Sequence, residues 1–404
     1  MSTRDWLRPM LARSPEEEHR ASTPLELLFD LCFVVAVSQA AAQLNHSITD
    51  GHIRSGVVGY LMVFFAIWWA WMNFTWFASA YDTDDVAYRL LTFLQIAGVL
   101  MLAAGVASAF TAGDFATITV GYVVMRVALV AQWLRAARSD PEGRPVALRY
   151  ALGITVLQAG WVARLFLPAS WGNASFCILA VAELSVPLWA ERAGRPTSWH
   201  PAHISERYGL FTLIVLGESV AAATIAIQSA VSSNRLSASL TGVALGGLVL
   251  VFGLWWWYFE HPSEDGLRLT PRLAFLWGYA HYAVFAAVAA FGAGLEVAVA
   301  SVQHGSGPSG VTAALAVAIP VGVYLTTTAL LQLRLGDENR PAWWPAPAGA
   351  VALVAVALAA RWMPVAVAIP VMGAVVAGVI VLESTIRGGP RPPRPVPLDT
   401  APAT

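Results

Sequence analysis

The stretch from Thr23 to Gln39, TPLELLFDLCFVVAVSQ, opens a long apolar run yet carries two carboxylates, Glu26 and Asp30. Four residues apart, they stack on one face of a helix. Thr23 as N-cap, Pro24 at the first helical position and Glu26 at the third form a capping box, which makes Glu26 a helix-start residue. Asp30 lies beyond the capping turn and needs another partner: Arg89, a residue of another span, or a transported cation. An apolar helix that keeps acids near its entrance either shelters them in protein or uses them.

The surrounding chain explains why lipid is the solvent. Its 404 residues are 57% hydrophobic and 12% charged, with mean hydropathy +0.61. Soluble domains carry roughly 25% charged residues, about twice as many. The net charge of −1 and the scattering of basic residues through loops exclude a nucleic-acid partner. All 24 basic residues are arginine, which reads as genome composition and not as function. Cys32 and Cys177 both fall in apolar segments, so no disulfide framework follows.

Twelve apolar runs approach the roughly 20 residues needed to cross a bilayer as a helix. They cover about 25–44, 57–79, 88–109, 115–137, 148–167, 171–192, 208–230, 239–259, 274–300, 312–333, 346–361 and 364–384. The fold class expected is an all-α polytopic membrane protein of about twelve transmembrane helices. With the N-terminus inside, 19 arginines fall on the inner side and 3 on the outer, as the positive-inside rule requires. Residues 1–22 lack an apolar core and a cleavage site, so they read as a retained cytoplasmic tail. Residues 387–404 read as a disordered Pro/Arg-rich tail. Trp68, Trp69, Trp71, Trp76, Trp255, Trp256, Trp257, Trp343 and Trp344 sit toward run ends, where lipid-anchoring aromatic belts are expected. Pro187, Pro320 and Pro370 are expected to kink their spans.

A repeat with an offset near 183 residues divides the chain. Leu28-Phe29 aligns with Leu210-Phe211, and Trp68-Trp69-Ala70-Trp71 with Trp255-Trp256-Trp257. Acidic loops follow in both halves, Asp82-Thr83-Asp84-Asp85 before Arg89 and Glu264-Asp265 before Arg272. This reads as a parallel duplication of six plus six spans, residues 23–195 and 196–386.

Three blocks mix charged and aromatic residues in an otherwise bland background. They are TPLELLFDLCFVVAVSQ, WWAWMNFTWFASAYDTDDVAYRLL from Trp68 to Leu91, and HISERYGLFTLIVLGES from His203 to Ser219. In this order they resemble the bacterial low temperature requirement A family over roughly residues 20–385. The resemblance implies a multi-pass bacterial inner-membrane protein linked by name to growth in the cold. It names no substrate.

Ionisable residues inside a span are costly and tend to face a bundle interior or a wet cavity. Arg126, Glu183 and Glu218 fall near mid-depth, and His281 about two turns from the cytoplasm. Glu218, beside Gly217, is the sharpest candidate for a proton- or cation-binding carboxylate; its alternative role is an ion pair with Arg126. Arg126 itself reads as the fixed partner of Glu218 or Glu183. With Asp30 these four residues are the candidate ion, proton or substrate path. Glu26, Asp82, Asp84, Asp85, Arg89, His203 and Glu206 are candidates for its cytoplasmic mouth, with Asp85 and Arg89 spaced as an i,i+4 pair. His200, His203 and Glu206 have a metal-like spacing but too few ligands, so no metal and no cofactor are expected. The expected partners are the lipid bilayer and a small ion or solute. The leading functional reading is transport or conduction of that ion or solute through buried carboxylates. The alternatives are an intramembrane lipid-modifying enzyme using His203 and Glu206, and a sensor or assembly factor without catalysis.

Overall fold

The structure, a computed structural model, describes residues 6–14, 17, 20–232, 238–260, 263–269, 273–303, 308–335 and 344–386. The tail 387–404 lies outside the described residues, as do Arg235, Arg272, Arg340 and Trp343. The described chain is helical throughout its ordered elements. The first half holds α1 (Pro24–Thr49), α2 (Ile53–Tyr81), α3 (Val86–Thr111), α4 (Ala116–Ser139), α5 (Arg144–Arg164) and α6 (Gly172–Ala190). The second holds α7 (Pro201–Ser232), α8 (Ala238–Phe259), α9 (Glu264–Leu269), α10 (Ala274–Gln303), α11 (Gly310–Arg334), α12 (Pro345–Ala359) and α13 (Val365–Ile386).

Among the described residues, ten of these helices are long and apolar enough to cross a membrane. The chain is therefore a multi-pass membrane protein in contact with lipid. Helix α7 is 32 residues long, whereas apolar α12 has only 15. Part of the acidic segment after α8 is helical and forms the six-residue α9. Helices α6, α11 and α13 run on through Pro187, Pro320 and Pro370.

Helix α1 sits centrally, packed on α2, α3, α7 and α10. Helix α2 supplies an aromatic spine. Trp68, Trp69 and Trp71 are 1% exposed or less, and so is Trp257, which corrects their expected place in a lipid-facing belt. For three of them the reason is polar: Trp69, Trp71 and Trp257 donate their indole N–H groups to Glu183, Asp30 and Thr328, whereas Trp68 is buried by packing on Trp69, Tyr279 and Tyr282. A buried indole needs such an acceptor, and lipid tails offer none. Trp255, Trp256 and Trp344 are exposed, as the belt reading requires. Tyrosine hydroxyls clip α2 to α10, with Tyr60 donating to the Ala286 carbonyl and Tyr282 to that of Leu61.

The described residues 8–14, 17 and 20 do not hang free. Met10 is fully buried, and the Arg8 and Arg13 amides donate to Asp85 and to the Ala80 carbonyl. Ser198 donates to the Arg13 carbonyl, and the His200 ring meets that of Glu17 at 2.9 Å. This segment is a strap across the ends of α2, α3 and α7.

Small residues set a close crossing of α3 on α4. A Cβ on Gly98 of α3 would lie 2.6 Å from the Gly121 carbonyl oxygen of α4, and one on Gly121 2.5 Å from that of Gly98. Both glycines let backbones touch where lipid provides no hydrophobic drive for association. Gly98→Val is expected to destabilise the fold by about 1–3 kcal/mol through overpacking. A lowered thermal midpoint in detergent, relative to the same change at lipid-facing Leu100, would show it.

Candidate functional site

Glu26 acts first as the helix start. It accepts from the Thr23 amide at 2.8 Å while its own amide donates to the Thr23 hydroxyl, so the capping box forms. Its other oxygen, Oε1, lies 3.0 Å from Arg207 Nη1, 3.1 Å from His203 Nε2 and 3.9 Å from Arg20 Nη2. The Arg207 approach is close but not aligned for a hydrogen bond. Asp30 takes the stronger contact. Arg207 donates to it twice, from Nε at 3.0 Å and Nη2 at 2.5 Å, and Trp71 donates at 2.7 Å. Glu26, Asp30, His203 and Arg207 are all 0% exposed. Such a cluster is tolerable only because each charge has an opposite neighbour.

The arrangement arises locally. His200 Nδ1 accepts the His203 amide and so caps α7, and Pro201 occupies the first helical turn. Starting α7 there places His203 and Arg207 four residues apart on one face, opposite Glu26 and Asp30 four apart on α1. Each cross-helix pair is separated by 177 residues. Arg207 precedes the apolar run at 208–230, so hydropathy alone places it outside the span. The usable signal was Pro201, which sets the helix register before the apolar run begins.

Between α2 and α3, Asp85 is the N-cap of α3 and binds Arg135 at 2.6 Å. Burial opposes its ionisation, but hydrogen bonds from the Arg8 and Tyr88 amides and from Arg135 prevail, so its pKa is lowered. Arg89 pairs instead with Asp84, twice at 2.7 Å, on the exposed surface. The expected Asp85–Arg89 pair is thus corrected, because capping turns the Asp85 carboxylate inward. Asp82 lies 3.8 Å from Arg13 and 4.0 Å from Arg20. Burial, reinforced by the charge of Glu26, raises its pKa to about 6 against the pull of both arginines. Glu206 is exposed and accepts from the Ser22 amide, while His203 turns inward, so these two do not share a face.

Deeper groups form separate clusters. Ser38 of α1 donates to Glu218 of α7 at 2.5 Å, and Asn45 of α1 donates to Glu296 of α10 at 2.7 Å. Both glutamates are thus held by neutral side chains of α1. Glu296, Asn45 and Ser38 escaped the sequence reading; a glutamate late in a 30-residue apolar helix was the available signal. Arg126 lies 3.4 Å from Glu183, which also accepts from Trp69 and Trp161. Arg126 therefore partners Glu183, and Glu218 is met by Ser38. His281 bridges the Trp277 carbonyl and the Tyr258 hydroxyl and packs edge-on against Tyr208 of α7 at 4.8 Å. Among the described residues no three His, Cys, Asp or Glu side chains converge as a metal site requires.

Comparison with known proteins gives a single consistent family. The model of the bacterial low temperature requirement A protein matches residues 21–382. The chain belongs to this family. A relative in Rhizobium meliloti (strain 1021), named uncharacterized protein RA0937, is 25% identical over 291 residues, 68% of each chain. The matched region starts just before Thr23, so the α1 and α7 clusters both lie inside the low temperature requirement A domain.

In this family member, Arg207→Gln strands two buried carboxylates and is expected to cost about 3–5 kcal/mol. Adding Asp30→Asn should restore part of that loss, which a double-mutant cycle on thermal midpoints would measure. Asp82 sets a second expectation. Its folded pKa, about 6, exceeds the ordinary 3.8, so between these values the folded state holds more protons than the unfolded one. Stability should fall as pH rises through that window, and Asp82→Asn should flatten the slope in pH-resolved melting.

Proposed function

We propose that the chain conducts a proton or small cation along the seam where α1 meets α7 and α10. One observation carries this reading. Four polar residues of α1, Glu26, Asp30, Ser38 and Asn45, each meet a partner on α7 or α10: His203, Arg207, Glu218 and Glu296. From Glu26 to Asn45 a helix rises about 28 Å, close to the roughly 30 Å of a hydrocarbon core. Ionisable groups strung across that depth serve relays and ion paths, because lipid-facing packing has no use for them. The Glu218 and Glu296 carboxylates are the exchange site in this reading, since each is met by a neutral donor of α1 and not by a fixed cation. Between Asp30 and Ser38 lie about 12 Å of helix. Buried Phe33, Val37, Phe211 and Val215 fill that interval and act as the barrier that must open.

The same proposal takes twelve spans in two halves, 23–195 and 196–386, in the bacterial inner membrane with both ends cytoplasmic. Helix neighbours support the duplication. Helix α1 packs on α2 and α3 as α7 packs on α8 and α10, and the α3–α4–α5–α6 series is matched by α10–α11–α12–α13. Arginine placement supports the orientation.

Purified protein in liposomes carrying a pH-sensitive dye tests the reading. An imposed proton or cation gradient should collapse faster than in empty vesicles, and Glu218→Gln or Glu296→Gln should suppress that flux at least about tenfold. Failure of the wild type to pass protons or any of a panel of monovalent and divalent cations would remove the proposal.

A further inference from the structure

A second cavity, of about 300 Å³, lies apart from the seam, on the other side of α2. Its volume equals that of about ten waters and reaches the range of small-molecule sites. Helices α2, α4, α5 and α6, the connection before α7 and the start of α10 enclose it. Its walls are aromatic. Trp76 and Trp199 meet edge to face at 5.1 Å, and Trp133 stacks on Tyr150 at 4.3 Å. Such rings present negative π faces to whatever enters.

The polar part of the wall has one sign of charge. Glu191 lines the cavity, held by the Tyr150 hydroxyl at 2.8 Å and by the Thr197 amide and hydroxyl at 2.8 and 2.6 Å. All three donors are neutral, and no arginine or histidine lines the cavity. Arg195, four residues on, turns to Asp140 and Glu142 instead. Asn73 donates to the Trp69 carbonyl, which leaves its amide oxygen as a further acceptor. A fixed carboxylate without a cation, set among tryptophan and tyrosine faces, is a recognition pattern for alkylated ammonium groups.

We propose that this cavity binds a small, free quaternary ammonium compound. Its methyl groups would lie on Trp76, Trp133, Tyr150 and Trp199, with Glu191 supplying the counter-charge. A phospholipid headgroup fits worse, since its phosphate would enter beside Glu191 with no basic side chain to receive it. The inference is independent of ion conduction along the seam, and its test needs no flux.

Full-length protein in detergent is titrated with tetramethylammonium and with choline while tryptophan fluorescence is followed. A saturable change is expected, weakened about tenfold or more by Trp199→Ala and by Glu191→Gln. The uncharged isostere of choline, with carbon in place of nitrogen, should bind the wild type about tenfold or more weakly than choline. That comparison needs no variant, so it decides the matter even if the substitutions unfold the protein. Equal binding of the isostere, or no saturable response to either ammonium ion, would overturn the proposal. Phosphocholine binding as tightly as choline would overturn the assignment to a free compound.

Discussion

Two carboxylates and an arginine with no access to solvent hold this molecule to one arrangement. Asp30 and Glu26 on α1 face Arg207 on α7, with His203 and Arg20 completing the group. A buried ion cluster adds little net stability against apolar packing of the same volume, but losing one member leaves a bare charge in low dielectric. The cost therefore falls on wrong arrangements. A register slip of α7 by a single residue would carry Arg207 about 100° around its helix and leave Asp30 unpaired. The strap is bound into the same constraint, since Arg20 reaches both Glu26 and the Ala78 carbonyl.

The rest of the packing follows that anchor. Trp71 donates to Asp30 and also stacks on Phe211 of α7 at 4.5 Å, so one side chain satisfies the acid and fills the space beside it. Helix α10 then closes over α1, α2 and α7, with 78% of its most apolar stretch buried. Away from this centre the two faces of α2 differ in use. One meets the charge cluster through Trp71 and Thr75, and the other opens onto the aromatic cavity beside Glu191. Polar and aromatic residues of the Trp68–Leu91 block thus serve two sites back to back.

Much of the architecture was legible because bilayer thickness fixes the length of an apolar run. The capping box at Thr23 was legible for a local reason, as all its atoms lie within four residues. Partner choice was not. Asp85 and Arg89 have ideal helical spacing, yet capping geometry and Arg135, fifty residues away, decide where that carboxylate points. Tryptophans at run ends look alike in sequence whether they face lipid or an acid, and only the tertiary acceptor separates Trp71 from Trp256. Arg207 looked like a loop residue because hydropathy begins one residue later, whereas the helix begins at Pro201.

The 177-residue separation of Asp30 and Arg207 also bears on how the protein is made. Chains are synthesised at roughly 5–20 residues per second, so about 10 to 35 s pass between the emergence of the acid and that of its counter-charge. During that interval six helices of the first half exist and α7 does not. Until then Arg20, which is already synthesised, is the one arginine of the group that the acids of α1 can reach. Asp30 gains its counter-charge only once α7 is made. The last step in setting the first helix is thus taken by the seventh.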